Sequence, residues 1–200
     1  MGKQKITSDK RKKLQDKFDK NYYYGGAYSN YDEFLDWDRI AKDLITRFSF
    51  NSFLDIGCGC GNFVKEIKKQ KGKNFDAYGV DFSKFAVKKA NAPFIILADC
   101  KNLPFKDNRF DLVHILGVFS YLKNLKEIKQ AMAEAYRVSK KFILFDEVYI
   151  RPDKKSDDYD PCRQQFFSQK QWLSFWKKII KKNDIINLYK DEIIIEKYEI

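Results

Sequence analysis

Leu54-Asp55-Ile56-Gly57-Cys58-Gly59-Cys60-Gly61 decides the fold. Apolar residues, Phe53, Leu54 and Ile56, run into three glycines at alternate positions, with a carboxylate two residues before the first. The pattern predicts a strand, a tight turn whose backbone lies close to a ligand, and then a helix. Glycine suits that turn because it allows positive φ and puts no Cβ between backbone and ligand. A phosphate loop would offer only N–H groups, or add a lysine. A nicotinamide-dinucleotide loop reads Gly-x-Gly-x-x-Gly. Here the third glycine comes one residue early, and Asn62 stands in its place.

Two further strands end in acids. Ala77-Tyr78-Gly79-Val80-Asp81 follows, with Asp81 twenty residues after Gly61, and then Phe94-Ile95-Ile96-Leu97-Ala98-Asp99. A carboxylate at Asp81 can accept from both hydroxyls of a ribose, and one at Asp99 can accept from an exocyclic amine. In open α/β sheets, ligands bind outside the carboxyl ends of the strands. Asp81 could instead cap a helix beginning near Ser83, and Asp99 could cap a loop.

These residues, with Phe82-Ser83, Cys100, Leu103-Pro104-Phe105 and Arg109-Phe110-Asp111-Leu112-Val113, resemble the class I S-adenosylmethionine-dependent methyltransferases. They stand in that family's order and spacing, and the resemblance covers roughly residues 34–150. It implies a three-layer α/β, Rossmann-like methyltransferase fold: a seven-stranded, mostly parallel sheet with one antiparallel strand in a C-terminal hairpin. It also implies S-adenosylmethionine as cofactor and S-adenosylhomocysteine as product. Asp55, Gly57, Cys58, Gly59, Gly61, Asp81, Phe82, Asp99, Cys100 and His114 are then the candidate cofactor residues. In the family a histidine often follows the fourth strand at positions matching Ser120 or Tyr121; here those positions are not histidine.

The chain is 200 residues long, 44% hydrophobic and 16% aromatic, enough for one domain with an ample core. No apolar run approaches the ~18 residues of a membrane span, and the start, Met-Gly-Lys-Gln-Lys, leads into a charged helix rather than an apolar signal core. Cys58, Cys60, Cys100 and Cys162 form no disulfide framework and suit a reducing cytoplasm. With His114 the only histidine, no metal site is expected. The net charge of +11 allows an anionic partner, but only 7 of the 39 basic residues are Arg, where dedicated phosphate readers use more.

The expected organisation is an N-terminal helical and tyrosine-rich cap (1–50), a cofactor core (51–150), an acceptor-side loop (151–168) and a closing helix with hairpin (169–200). The pattern predicts helices at 5–20, 32–48, 62–71, 83–90, 124–137 and 169–182. It predicts strands at 51–56, 76–81, 93–98, 110–116 and 141–149, then a hairpin from Ile185. No insertion holds a separate acceptor-binding domain, so the cap and the 151–168 loop must build that pocket. Tyr22, Tyr23, Tyr24, Tyr28 and Tyr31 either form a lid or pack the N-terminal helices.

Methyl transfer requires acceptor and methyl to be held in line, with one proton removed at most. His114 is a candidate base, with Asp146 and Glu147 as rivals; Glu147 could instead bind an amine. Tyr24, Tyr28, Tyr121 and Arg163 are candidate acceptor residues, Arg163 for an anionic group unless it pairs with Asp157, Asp158 or Asp160. The Asn/Asp-Pro-Pro-Tyr/Phe pattern of nucleobase amino-methylation is absent. The expected acceptor is an oxygen or nitrogen of a small metabolite, and the charge allows it to be anionic, bearing a phosphate or a nucleotide. The alternative is RNA or protein held by the basic arm Lys3, Lys5, Lys10, Arg11, Lys12 and Lys13.

Overall fold

The computed structural model describes residues 15–147, 149, 151, 153–155 and 159–198. Seven strands form one sheet in the order β3-β2-β1-β4-β5-β7-β6: β1 Ser52–Ile56, β2 Asp76–Asp81, β3 Ile95–Leu97, β4 Phe110–Leu116, β5 Ser139–Asp146, β6 Ile185–Tyr189 and β7 Glu192–Glu196. The first five strands pair in parallel. β7 runs antiparallel to β5 and to β6.

Every residue of β1 is buried, because helices cover both faces of a parallel sheet. Alternation sends neighbours to opposite layers. Phe53, Leu112 and Leu144 face Ala41 and Leu44 of α2 (Trp37–Arg47) and Phe63, Val64 and Ile67 of α3 (Asn62–Lys71). Leu54, Ile56, Val113, Ile115 and Phe145 face α5 (Leu125–Val138) and α6 (Gln169–Trp176), with Trp172 and Trp176 fully buried. A short α1 (Lys20–Tyr24) precedes this core, and α4 (Lys84–Ala90) lies between β2 and β3.

Capping moved several helix ends from where the periodicity put them. Asp36 accepts from Arg39 N–H and starts α2 at Trp37 rather than at residue 32. Tyr31–Glu33 form a separate 3-10 turn. Asp19 caps α1 at Tyr22 N–H, so the first tyrosines expected in a loop are helical. Residues 1–14, and with them most of the expected 5–20 helix and the whole basic arm, lie outside the described residues. α6 opens with a Ser168–Gln171 capping box and stops at Trp176, six residues early. Continuing it would set Lys177 against Lys181 and Lys178 against Lys182 on one face. β3 is cut to three residues, and β5 begins at Ser139 and ends at Asp146. Among the described residues, no helix is long and apolar enough to cross a membrane.

Candidate active site

The glycine turn closes on the end of β2. Gly57 N–H and Cys58 N–H both donate to Val80 O, at 2.8 and 3.0 Å. Gly59 N–H donates to Asp81 Oδ2 at 2.8 Å, and Ser83 N–H to Oδ1 at 2.7 Å. Asp81 thus shapes the turn that it borders. Its carboxylate keeps further acceptor capacity, since two oxygens offer about four lone-pair sites. Burial raises its pKa to about 6, and the N–H donors pull against that rise.

Gly59 has φ +53, and a Cβ there would lie 2.3 Å from Tyr31 Oη. The turn therefore presents bare backbone to the space in front of it. Gly61 plays a different part: a Cβ would meet Ile95 at 2.8 Å, so this glycine permits close packing at the head of α3. Cys58 is buried, with its sulfur under Gly79; burial pushes its thiol pKa up.

In front of the turn lies a cavity of about 150 Å³. One wall is Gly57, Gly59, Asp81, Phe82, Asp99 and Cys100; the other is Phe18 with Tyr22, Tyr23, Tyr28, Tyr31 and Tyr121. Ligand clefts commonly hold roughly 300–1,000 Å³, and here the tyrosines fill part of the space. Tyr31 packs edge-on to Tyr23 and Tyr28, with ring centroids 4.9 and 5.0 Å apart. Tyr23 stacks on Phe85 of α4. Asp99 Oδ1 accepts from Lys101 N–H, and Lys101 Nζ sits between Asp99 and Glu127 at 3.7 and 3.2 Å.

A second polar group stands behind the aromatic wall. Tyr22 Oη and Tyr121 Oη both donate to Asp160 Oδ2, at 2.7 and 2.6 Å. Residues 159–168 are fastened by Gln164 N–H and Gln165 N–H donating to Ser120 O. Arg163 lies over the Tyr121 ring at 4.8 Å, donates to Ser120 Oγ at 2.8 Å and stands 4.0 Å from Glu147 Oε2. A Cβ on Gly117 would lie 3.2 Å from Arg163 Nη2. Gly117 lines the cavity, and Arg163 does not.

The structure places several candidate residues away from the cavity. His114 lies inside β4, its Nδ1 2.7 Å from Asp55 Oδ1 on the neighbouring strand and its ring against Phe63. Neither His114 nor Asp55 reaches the cavity, because strand alternation turns both toward the α2–α3 layer. Glu147 is buried behind the 3-10 turn Phe119–Tyr121, where Oε1 accepts from Phe119 N–H and Oε2 has no hydrogen-bond partner. Burial raises its pKa to about 7. Tyr24 turns away and donates to Cys60 Sγ. Arg163 does not pair side chain to side chain with Asp160, and Asp157 and Asp158 lie outside the described residues. Gly57, Gly59, Asp81, Phe82, Asp99, Cys100, Tyr28 and Tyr121 do meet around one cavity. The motif reading passed over Phe18, Gly117, Val118 and Leu122, which also line it; each is an ordinary residue in its local sequence.

The lining suits a nucleoside sulfonium: the carboxylates of Asp81, Asp99 and Glu127 border the space beside bare glycine backbone and apolar walls. Residues 54–142 match a family model described as a methyltransferase domain. A 2-phytyl-1,4-naphtoquinone methyltransferase from Nostoc punctiforme is 33% identical over 130 residues, covering 55% of this chain and 55% of that protein. A ubiquinone/menaquinone biosynthesis C-methyltransferase from Geotalea uraniireducens is 30% identical over 150 residues, covering 68% of this chain and 62% of that protein. The chain thus spans little more than half the length of these relatives. The crystal structure of a SAM-dependent methyltransferase from Archaeoglobus fulgidus superposes with TM-score 0.65 at 17% identity, over 90% of this chain and all of that one, and shares the fold.

Proposed function

We propose, from a chain that carries a class I S-adenosylmethionine-dependent methyltransferase domain, that the protein methylates a small, flat, largely apolar acceptor at a ring carbon. The observation that carries this reading is the two-walled cavity. Backbone and carboxylates of Gly57, Gly59, Asp81 and Asp99 form one side, and five tyrosine rings with Phe18 form the other.

The bound cofactor supplies an electrophilic methyl group on a sulfonium: the S–CH3 bond would break as the new C–C bond forms, and the proton of the methylated ring carbon would be released to solvent. Asp81 accepts from its ribose hydroxyls, and Asp99 accepts from its exocyclic amine. The tyrosines stack on the acceptor and exclude water, and the segment holding Tyr22–Tyr31 serves as the lid over both molecules. Aromatic walls favour a planar acceptor, and the names of the two relatives, a 2-phytyl-1,4-naphtoquinone methyltransferase and a ubiquinone/menaquinone biosynthesis C-methyltransferase, point the same way. The expected anionic acceptor comes from the net charge, with Arg163 as its candidate residue, and the charge of Arg163 stands behind Gly117 beside Glu147 and Ser120. For an oxygen or nitrogen acceptor the candidate bases are His114, Asp146 and Glu147; of these, His114 is turned into the α2–α3 layer and Glu147 is buried behind Phe119–Tyr121.

Incubation with methyl-labelled cofactor and a panel of naphthoquinols, phenols, nucleotides and bulk RNA tests this. Label should pass to a quinol or phenol, with a new carbon-bound methyl in the product's NMR spectrum. Label passing to RNA, and lost when Lys10, Arg11, Lys12 and Lys13 are changed to Ser, would move the function to a macromolecular substrate.

A further inference from the structure

The two ends of the sheet are finished differently. β3 closes one end with three residues, too short to template another strand. β6 closes the other with five, Ile185-Ile186-Asn187-Leu188-Tyr189. Natural edge strands are usually blunted by charge, proline or a bulge. This one carries none, and Ile185, Leu188 and Tyr189 are 43%, 50% and 48% exposed.

The hairpin fixes which backbone groups face outward. Tyr189 pairs with Glu192 across the turn Lys190-Asp191. With a two-residue turn, Tyr189, Asn187 and Ile185 direct N–H and C=O toward β7. Ile186 and Leu188 direct theirs away from the sheet. Two outward residues two apart form a self-complementary edge.

We infer that β6 is the seam of a homodimer, pairing antiparallel with β6 of a second copy about a two-fold axis at Asn187. In this register Ile186 and Leu188 of each copy exchange backbone hydrogen bonds with Leu188 and Ile186 of the other. Ile185 lies beside Tyr189 of the second copy, so the exposed apolar side chains cover one another. At the ends, Asp184 lies opposite Lys190, an acid against a base at both sides of the axis. Asp184 also accepts from Tyr136 Oη and Lys181 N–H at Oδ2 and from Tyr198 N–H at Oδ1. The neighbouring registers are worse. An axis at Ile186 sets Lys182 against Lys190 and Leu188 against Asp184. An axis at Leu188 sets Ile186 against Lys190 and Ile185 against Asp191. An axis between two residues opposes outward backbone groups to inward ones and forms no ladder.

The test uses the full chain. Light scattering should give twice the monomer mass of 23.8 kDa. Asn187→Cys puts two thiols at the axis, where side chains of a non-hydrogen-bonded pair come within about 4.5–5.5 Å at Cβ. Mild oxidation should then give a covalent dimer, which neither the wild type with its native cysteines nor Ile185→Cys should give. Leu188→Lys should raise the dimer dissociation constant at least roughly tenfold while leaving thermal unfolding of the monomer unchanged. A monomer at high micromolar concentration, a dimer that survives Leu188→Lys, or cross-linking as efficient at Ile185→Cys as at Asn187→Cys would each overturn the inference.

Discussion

Replacing Glu147 with glutamine should stabilise the protein, and only at high pH. The Glu147 carboxyl is 4% exposed, with Oε2 unpartnered and the nearest cation, Arg163 Nη1, 4.0 Å away. Burial raises its pKa from 4.5 to about 7. A folded-state pKa above the unfolded one means that the native state holds the proton more tightly. This contribution to stability is therefore full below about 4.5 and is lost as pH rises through about 7. At ~1.4 kcal/mol per pKa unit, the ionised carboxylate costs the fold roughly 3 kcal/mol at pH 8. The amide of Glu147→Gln would be neutral throughout and could still accept from Phe119 N–H. The attraction of Arg163 is already inside that figure, and burying the amide N–H2 where Oε2 has no partner reduces the gain to roughly 1–2 kcal/mol. For a chain of this size that is roughly 2–8 °C in Tm. Thermal melts of both proteins from pH 4 to 8.5 measure it. Asp81 and Asp146, each raised to about 6 by burial, affect both proteins equally and cancel in the difference. The Tm difference should be near zero at the acid end and grow with pH. A difference independent of pH, or a variant less stable than wild type at pH 8.5, would refute the reasoning.

Cofactor affinity should follow the ionisation of Asp81: flat above pH 7 and falling about tenfold per unit below about 6, because only the carboxylate accepts from both hydroxyls; calorimetry across pH 5–8 reads this. Gly59→Val should abolish cofactor binding while the protein stays folded, since its φ of +53 and the contact with Tyr31 leave a branched side chain no room; circular dichroism with a binding titration separates the two effects. His114→Gln should lower stability by about 1–3 kcal/mol through the lost bond to Asp55 and change kcat only a few-fold. A fall of ~10²–10⁴ would be the signature of a general base.

The strand order and the ligand edge were legible because they depend on local chemistry: apolar runs broken by Gly57 and Gly59, and acids at the ends of β2 and β3. The hairpin was legible from its apolar strands around Lys190-Asp191. The helix ends were not, because one capping side chain, such as Asp36, outweighs a continuing apolar period. His114 shows a different limit. Its strand was recognised, and alternation along Leu112, Val113 and His114 already assigned it a face. Which helices cover that face, and that Asp55 sits beside it, depends on strand order. Arg163 fails for a related reason: the loop that carries it is placed by backbone bonds to Ser120, and no local pattern announces that Gly117 will stand between its charge and the cavity.

The central claim is that the cavity between the glycine turn and the tyrosines binds S-adenosylmethionine through Asp81. Calorimetric titration of the wild type and of Asp81→Asn with S-adenosylhomocysteine, with NAD as the control ligand, tests it most directly. Saturable binding to the wild type, weakened by about 1.5–3 kcal/mol in the variant, with no NAD binding by either, is the expected result. No binding of S-adenosylhomocysteine by the folded wild type, or equal affinity in both proteins, would contradict it.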